Sequence, residues 1–141
     1  MTPWIVVLLA FIALASTSMA QTANAPIAIF GGTQRNARMI ALSNMAGDME
    51  DCDRQRTPYV GTIVKRQFDE DEVTIIGIVI REPNDTRAFI NLDIEQLDRL
   101  PLSDRAHLSS FLGMRKRVKV WTYSCGAAGR VLYAYRIKAL N

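Results

Sequence analysis

Hydrophobic and polar positions change period several times along the chain, and each change marks an element. Pro3 to Ala15 (PWIVVLLAFIALA) is an unbroken apolar run. Gln21 to Thr33 (QTANAPIAIFGGT) has no sustained period, and its Pro and Gly-Gly predict an extended or poorly ordered lead-in over 21–33. From Gln34 to Arg54, Met39, Leu42, Met45, Ala46 and Met49 fall three and four residues apart, which predicts a helix with one apolar face. Cys52 continues that face, so the N-terminal helix is assigned within 34–57. A methionine stripe at this spacing reads as packing. Pro58 punctuates the chain, and strand signals follow. Tyr59 to Phe68 is the first strand, separated by Asp69-Glu70-Asp71-Glu72 from Val73 to Arg81. The second strand is β-branched almost throughout, which predicts a central strand covered on both faces. Pro83 to Thr86 supplies turn chemistry, and Arg87 to Asp93 forms a third strand.

The period then changes again. Ile94, Leu97 and Leu100 share helical spacing before Pro101 interrupts. Ser103 is expected to cap a helix over Asp104 to Leu112, with Gly113 just past its end and Leu108, Phe111 and Leu112 on its buried face. Two more strands, Lys116 to Ser124 and Arg130 to Leu140, are joined by Cys125-Gly-Ala-Ala-Gly129, whose glycines permit the positive φ of a tight hairpin. The order is a helix followed by β-β-β-α-β-β over 58–141. That order resembles the OB-fold, a five-stranded Greek-key barrel. Gly61 and Gly77 suit the coil or bulge such a barrel needs.

The compartment follows from the N-terminus. The apolar run is followed by Ser16-Thr17-Ser18-Met19-Ala20, with small residues at Ser18 and Ala20, so a signal peptide is expected over 1–20. The run is shorter than the about 20 apolar residues of a membrane span. MTPW carries no Lys or Arg, and a retained anchor is the alternative. The protein is therefore expected to be exported, periplasmic or secreted, without a stable membrane span. In an oxidising compartment Cys52 and Cys125 are expected to bridge within the chain, with free thiols or interchain pairing as the alternatives. Neither cysteine has the His/Cys neighbours of a metal site. The chain is similar in size to bacterial periplasmic OB-fold proteins, generally regarded as small-ligand or stress-related binding modules. Its layout also resembles the B-subunits of cholera-type toxins, in which a cysteine of a short N-terminal helix is bridged to one late in the barrel. No receptor-binding residue of those toxins has a counterpart here, so the resemblance carries over no sugar site.

The net charge is +3, from 17 Lys and Arg against 14 Asp and Glu. Its distribution matters more. Gln21 to Pro58 balances four basic against four acidic residues, so the excess lies in 59–141. There Arg115, Lys116, Arg117 and Lys119 cluster, which favours an anionic partner. Strand alternation sets Val118, Val120 and Thr122 on one face and Lys119, Trp121 and Tyr123 on the other. In the last strand it groups Val131, Tyr133, Tyr135 and Ile137. Aromatics beside cations stack single-stranded bases in OB-folds, and the same chemistry holds sugars or anionic glycans. The candidate ligand-binding set is therefore Arg115, Lys116, Arg117, Lys119, Trp121 and Tyr123. The competing reading packs Trp121 under the N-terminal helix and fills the barrel with Tyr133 and Tyr135. Catalysis has little to work with. His107 is the one histidine, read as partly exposed on its helix, and the acidic run reads as a solvated hairpin tip. No cofactor or metal is expected. The chain reads as a non-enzymatic binding module for an anionic or carbohydrate ligand. A single-stranded nucleic-acid-binding domain, a subunit of a toxin-like or envelope assembly, and a secreted nuclease are the rivals.

Overall fold

A computed structural model describes residues 24–140, and the signal peptide expected over 1–20 lies outside the described residues. The strands are β1 (Ile27–Gly31), β2 (Arg38–Ser43), β3 (Cys52–Arg54), β4 (Tyr59–Phe68), β5 (Ile75–Arg81), β6 (Arg87–Asn91), β7 (Arg117–Cys125) and β8 (Val131–Ala139). Three one-turn helices stand between β6 and β7: α1 (Ile94–Leu97), α2 (Leu102–Arg105) and α3 (Leu108–Phe111). Strands β4, β5 and β6 form an antiparallel meander. Strand β6 meets β8 in parallel at Asn91 and Tyr133, where the Asn91 side-chain amide donates to the Leu132 carbonyl at 3.1 Å. Strand β8 runs antiparallel to β7, and β7 antiparallel to β4, closing a five-stranded OB-like barrel.

Strands β7 and β8 pair with each other along their length but change neighbours part-way on their other sides. The first part of β7 pairs with β4 and its end with β3. The first part of β8 meets β6 and its end pairs with β2, which carries β1 beyond it. The barrel thus grows a lateral extension from the closing hairpin. Its core is filled by β-branched residues of the inward faces, with Ile63, Ile78, Ile80, Ile90, Val118, Val120 and Ile137 fully buried. Leu112, after α3, is fully buried in the same cluster. Thr122 is fully buried among them, and its hydroxyl has no hydrogen-bond partner. Removing an unpaired polar atom while keeping the shape is favourable, so Thr122→Val is expected to raise stability by about 1 kcal/mol in urea unfolding.

The helix expected within 34–57 does not form there, and strands β2 and β3 occupy the segment. The misleading period has a physical origin. Ile29 pairs with Ala41 and Phe30 with Met39, so Ile40 is an extra residue in β2. A bulge of this kind shifts the alternation by one. Met39 and Leu42 consequently both join the core, at 5% and 0% exposure, although three residues apart. Asn44 then turns at φ 54°, and Met45 is buried again, its N–H donating to the Tyr135 carbonyl at 3.0 Å. A bulge and a turn have imitated a helical stripe.

The later helix also departs from expectation. Ser103 lies inside α2 rather than capping it, because Pro101 starts the turn and its carbonyl accepts from Asp104 and Arg105 N–H. Nothing on α2 is buried, so no packing extends it to α3. The left-handed residue before β7 is Arg115 at φ 68°, two positions beyond Gly113. Part of the lead-in expected over 21–33 is the edge strand β1.

The acidic run forms the β4–β5 turn. The Asp71 carboxylate accepts from the Thr74 hydroxyl and from the Thr74 and Val73 N–H groups, and these bonds hold its pKa below the ordinary carboxylate value. A depressed carboxylate contributes stability above its unfolded pKa, and that contribution is lost as pH falls through the folded value. The Val73 and Thr74 amide shifts should therefore titrate at a lower pH than in a peptide spanning 69–74. Coincident midpoints would contradict the capping role.

Candidate functional site

The outward face of the closing hairpin is built by register. Trp121 stands opposite Arg136, and Thr122 opposite Ala134, so Tyr135 is an extra residue in β8. This second bulge places Ala134 and Ile137 both in the core, at 0% exposure, and releases Tyr135 and Arg136 outward together. The grouping of Ile137 with Tyr133 and Tyr135 on one face is thereby corrected. The bulge is held in place by the Met45 N–H on the Tyr135 carbonyl.

On that face two aromatic–cation groups lie side by side. The Arg136 guanidinium carbon is 4.5 Å from the Trp121 ring centroid, and Lys119 Nζ is 5.1 Å from it. Tyr123 and Tyr135 pack with ring centroids 4.8 Å apart, and the Arg54 guanidinium carbon lies 4.4 Å from Tyr135 and 6.0 Å from Tyr123. Each such cation–π contact is worth about 0.5–1 kcal/mol at an exposed position. Ser43, Asn44 and Ala46 complete an open groove of about 390 Å³ lined by Arg54, Trp121, Tyr123, Tyr135 and Arg136. No acidic side chain lines it.

The disulfide positions Arg54. Cys52 and Cys125 are directly opposed in the β3–β7 ladder and bonded, with Cα atoms 4.1 Å apart. Two residues along each strand, Arg54 therefore stands opposite Tyr123. Strand β3 has only three residues, and the bridge fastens it to the barrel.

Of the residues singled out from sequence, Trp121 and Tyr123 line this groove, and Lys119 stands against Trp121. Arg117 precedes Lys119 in alternation, opposite Thr62 of β4. Arg115 belongs to the turn before β7, its N–H bonded to the Ile63 carbonyl at 2.8 Å. Lys116 lines a different cavity, beside α3. Arg54, Tyr135 and Arg136 are members that the sequence reading did not include. Arg54 was within reach: a bridge between opposed strands fixes the register two residues away. The Tyr135 bulge leaves no comparable signal.

Trp121, Tyr123 and Tyr135 therefore line the groove rather than fill the barrel, and among the described residues no helix covers Trp121. His107 occupies the N-cap position of α3 without a side-chain capping bond and meets the Phe30 ring edge-on at 5.1 Å. Among the described residues, no group of three or more His, Cys, Asp or Glu side chains could hold a metal ion, and no helix is long and apolar enough to cross a membrane. No protein-family model, curated protein or solved structure matches the chain.

Proposed function

We propose that the protein is an exported, non-enzymatic binding module whose outward hairpin face takes an acidic carbohydrate. The observation that carries this reading is the groove in which Trp121, Tyr123 and Tyr135 face outward together with Arg54 and Arg136. A small barrel gains nothing in its core from aromatics turned outward. Half-buried rings offer flat surfaces for sugar C–H faces, and guanidinium groups pair bidentately with carboxylates or sulfates. Export is supported by the bridged cysteines, which suit an oxidising compartment, and by the apolar leader followed by small residues.

Calorimetric titration with oligogalacturonate, with a neutral oligosaccharide of equal length and with oligothymidylate tests the ligand class. The acidic sugar is expected to bind best, with an affinity that weakens as salt screens the guanidinium contacts. Trp121→Ala is expected to weaken it by about 30-fold, the effect of losing an aromatic anchor worth about 2 kcal/mol. Preference for the oligonucleotide, with a steep salt slope, would replace the carbohydrate reading by a single-strand one.

A further inference from the structure

A second cavity lies on the same outward surface, between the β1–β2 extension and α3, with a volume of about 600 Å³. That size falls within the about 300–1,000 Å³ of small-molecule sites. Its position follows from one row of the sheet. Ile29 pairs with Ala41, Ala41 with Lys138, and Lys138 with Lys119. The bulge at Ile40 turns that side chain out beside Ala41, and Phe111, Leu140 and Ala139 extend the apolar wall. Ile29 is 52% exposed, an apolar surface that the fold leaves uncovered.

The rim of this cavity is cationic. Arg38, Lys116, Arg136 and Lys138 line it, all exposed, and no acidic side chain does. Lys138 and Lys119 face each other directly across the β7–β8 ladder, an arrangement of like charges that destabilises a sheet. An apolar wall under a rim of cations that no acidic side chain lines suits one chemical class. We propose that the cavity binds an anionic amphiphile, its acyl chain along Ile29, Ile40 and Leu140 and its carboxylate or phosphate head at Lys116, Arg136 and Lys138. The proposal goes beyond the carbohydrate reading and does not depend on it, although Arg136 borders both cavities.

The test is calorimetry on the full chain with sodium laurate and dodecyl phosphate below their micelle concentrations, and with octaethylene glycol monododecyl ether as the neutral, sugar-free arm. Saturable binding of one or both anions is expected, with the neutral compound weaker by about tenfold or more. Binding of one anion alone supports the site and names its headgroup. Ile29→Glu puts a negative charge on the wall at an exposed position and is expected to weaken laurate binding by about tenfold or more. Lys138→Gln, which relieves the like-charge pair and cannot unfold the sheet by repulsion, is expected to weaken it by about fivefold. Equal affinity for the neutral compound, no saturable binding, or wild-type affinity in both variants would overturn the proposal. No sugar is present in these titrations, so failure of the carbohydrate reading leaves their outcome intact.

Discussion

Gly61→Ala is expected to destabilise the barrel by about 3 kcal/mol, the upper range for forcing atoms into a packed interior. A Cβ at this position would lie 2.3 Å from the Arg81 carbonyl oxygen and 2.6 Å from Ile80 Cγ2. The first is backbone and the second belongs to a fully buried side chain, so neither can step aside. Strand β4 is held here from both sides, by Val118 of β7 opposite Gly61 and by Arg81 of β5 opposite Thr62. A side chain at Gly61 must therefore push two ladders apart. Gly47→Ala is the control, since its Cβ would meet Asp93 Oδ2 at an ordinary 3.5 Å. It should change stability by less than about 1 kcal/mol in the same urea titration. Equal effects in the two variants would contradict the close approach of β4 and β5.

Replacing both cysteines by alanine is expected to cost about 4 kcal/mol, because the bridge closes a separation of 73 residues and removes that loop entropy from the unfolded chain. Loss on this scale is a large fraction of the stability of a small domain. The effect should extend to the site. Strand β3 is an edge strand whose ladder partner is β7, and Arg54 is its last residue. Freed from the bridge, β3 is expected to fray and withdraw Arg54 from Tyr135, weakening binding of the acidic sugar in protein that is still folded. Urea unfolding with and without reductant measures the first effect, and calorimetry at low denaturant the second. A reduced protein as stable as the oxidised one would contradict the account of the staple.

The barrel was legible because its strands obey simple rules. Tyr59 to Phe68 and Val73 to Arg81 are bounded by turn residues and rich in β-branched side chains, and the closing hairpin alternates in β7 as expected. Val118, Val120 and Thr122 are buried, and Lys119, Trp121 and Tyr123 face out. Bulges defeated the rest. Ile40 and Tyr135 each add one residue to a strand, and each shifts core positions from a spacing of two to a spacing of three. In β2 that spacing imitated a helix. In β8 it hid which tyrosines face outward. Both bulges are set by the register with a neighbouring strand, β1 for the first and β7 for the second, so the alternation within one strand cannot announce them. The site was half-legible for the same reason: Trp121 and Tyr123 follow from alternation, whereas Tyr135 and Arg136 follow from a bulge.

Trp121 and its neighbours are proposed to meet a ligand rather than the core. The chain has two tryptophans, Trp4 and Trp121, so a Trp4→Phe variant makes fluorescence report the groove alone. Titrating oligogalacturonate into that variant is expected to shift Trp121 emission to the blue and to saturate. Adding Arg54→Gln and Arg136→Gln should abolish the shift in protein that circular dichroism shows to be folded, although loss of the cation–π contacts lowers its unfolding midpoint. Emission that stays constant through the titration, or that responds equally to the neutral sugar and in the double arginine variant, would contradict the claim.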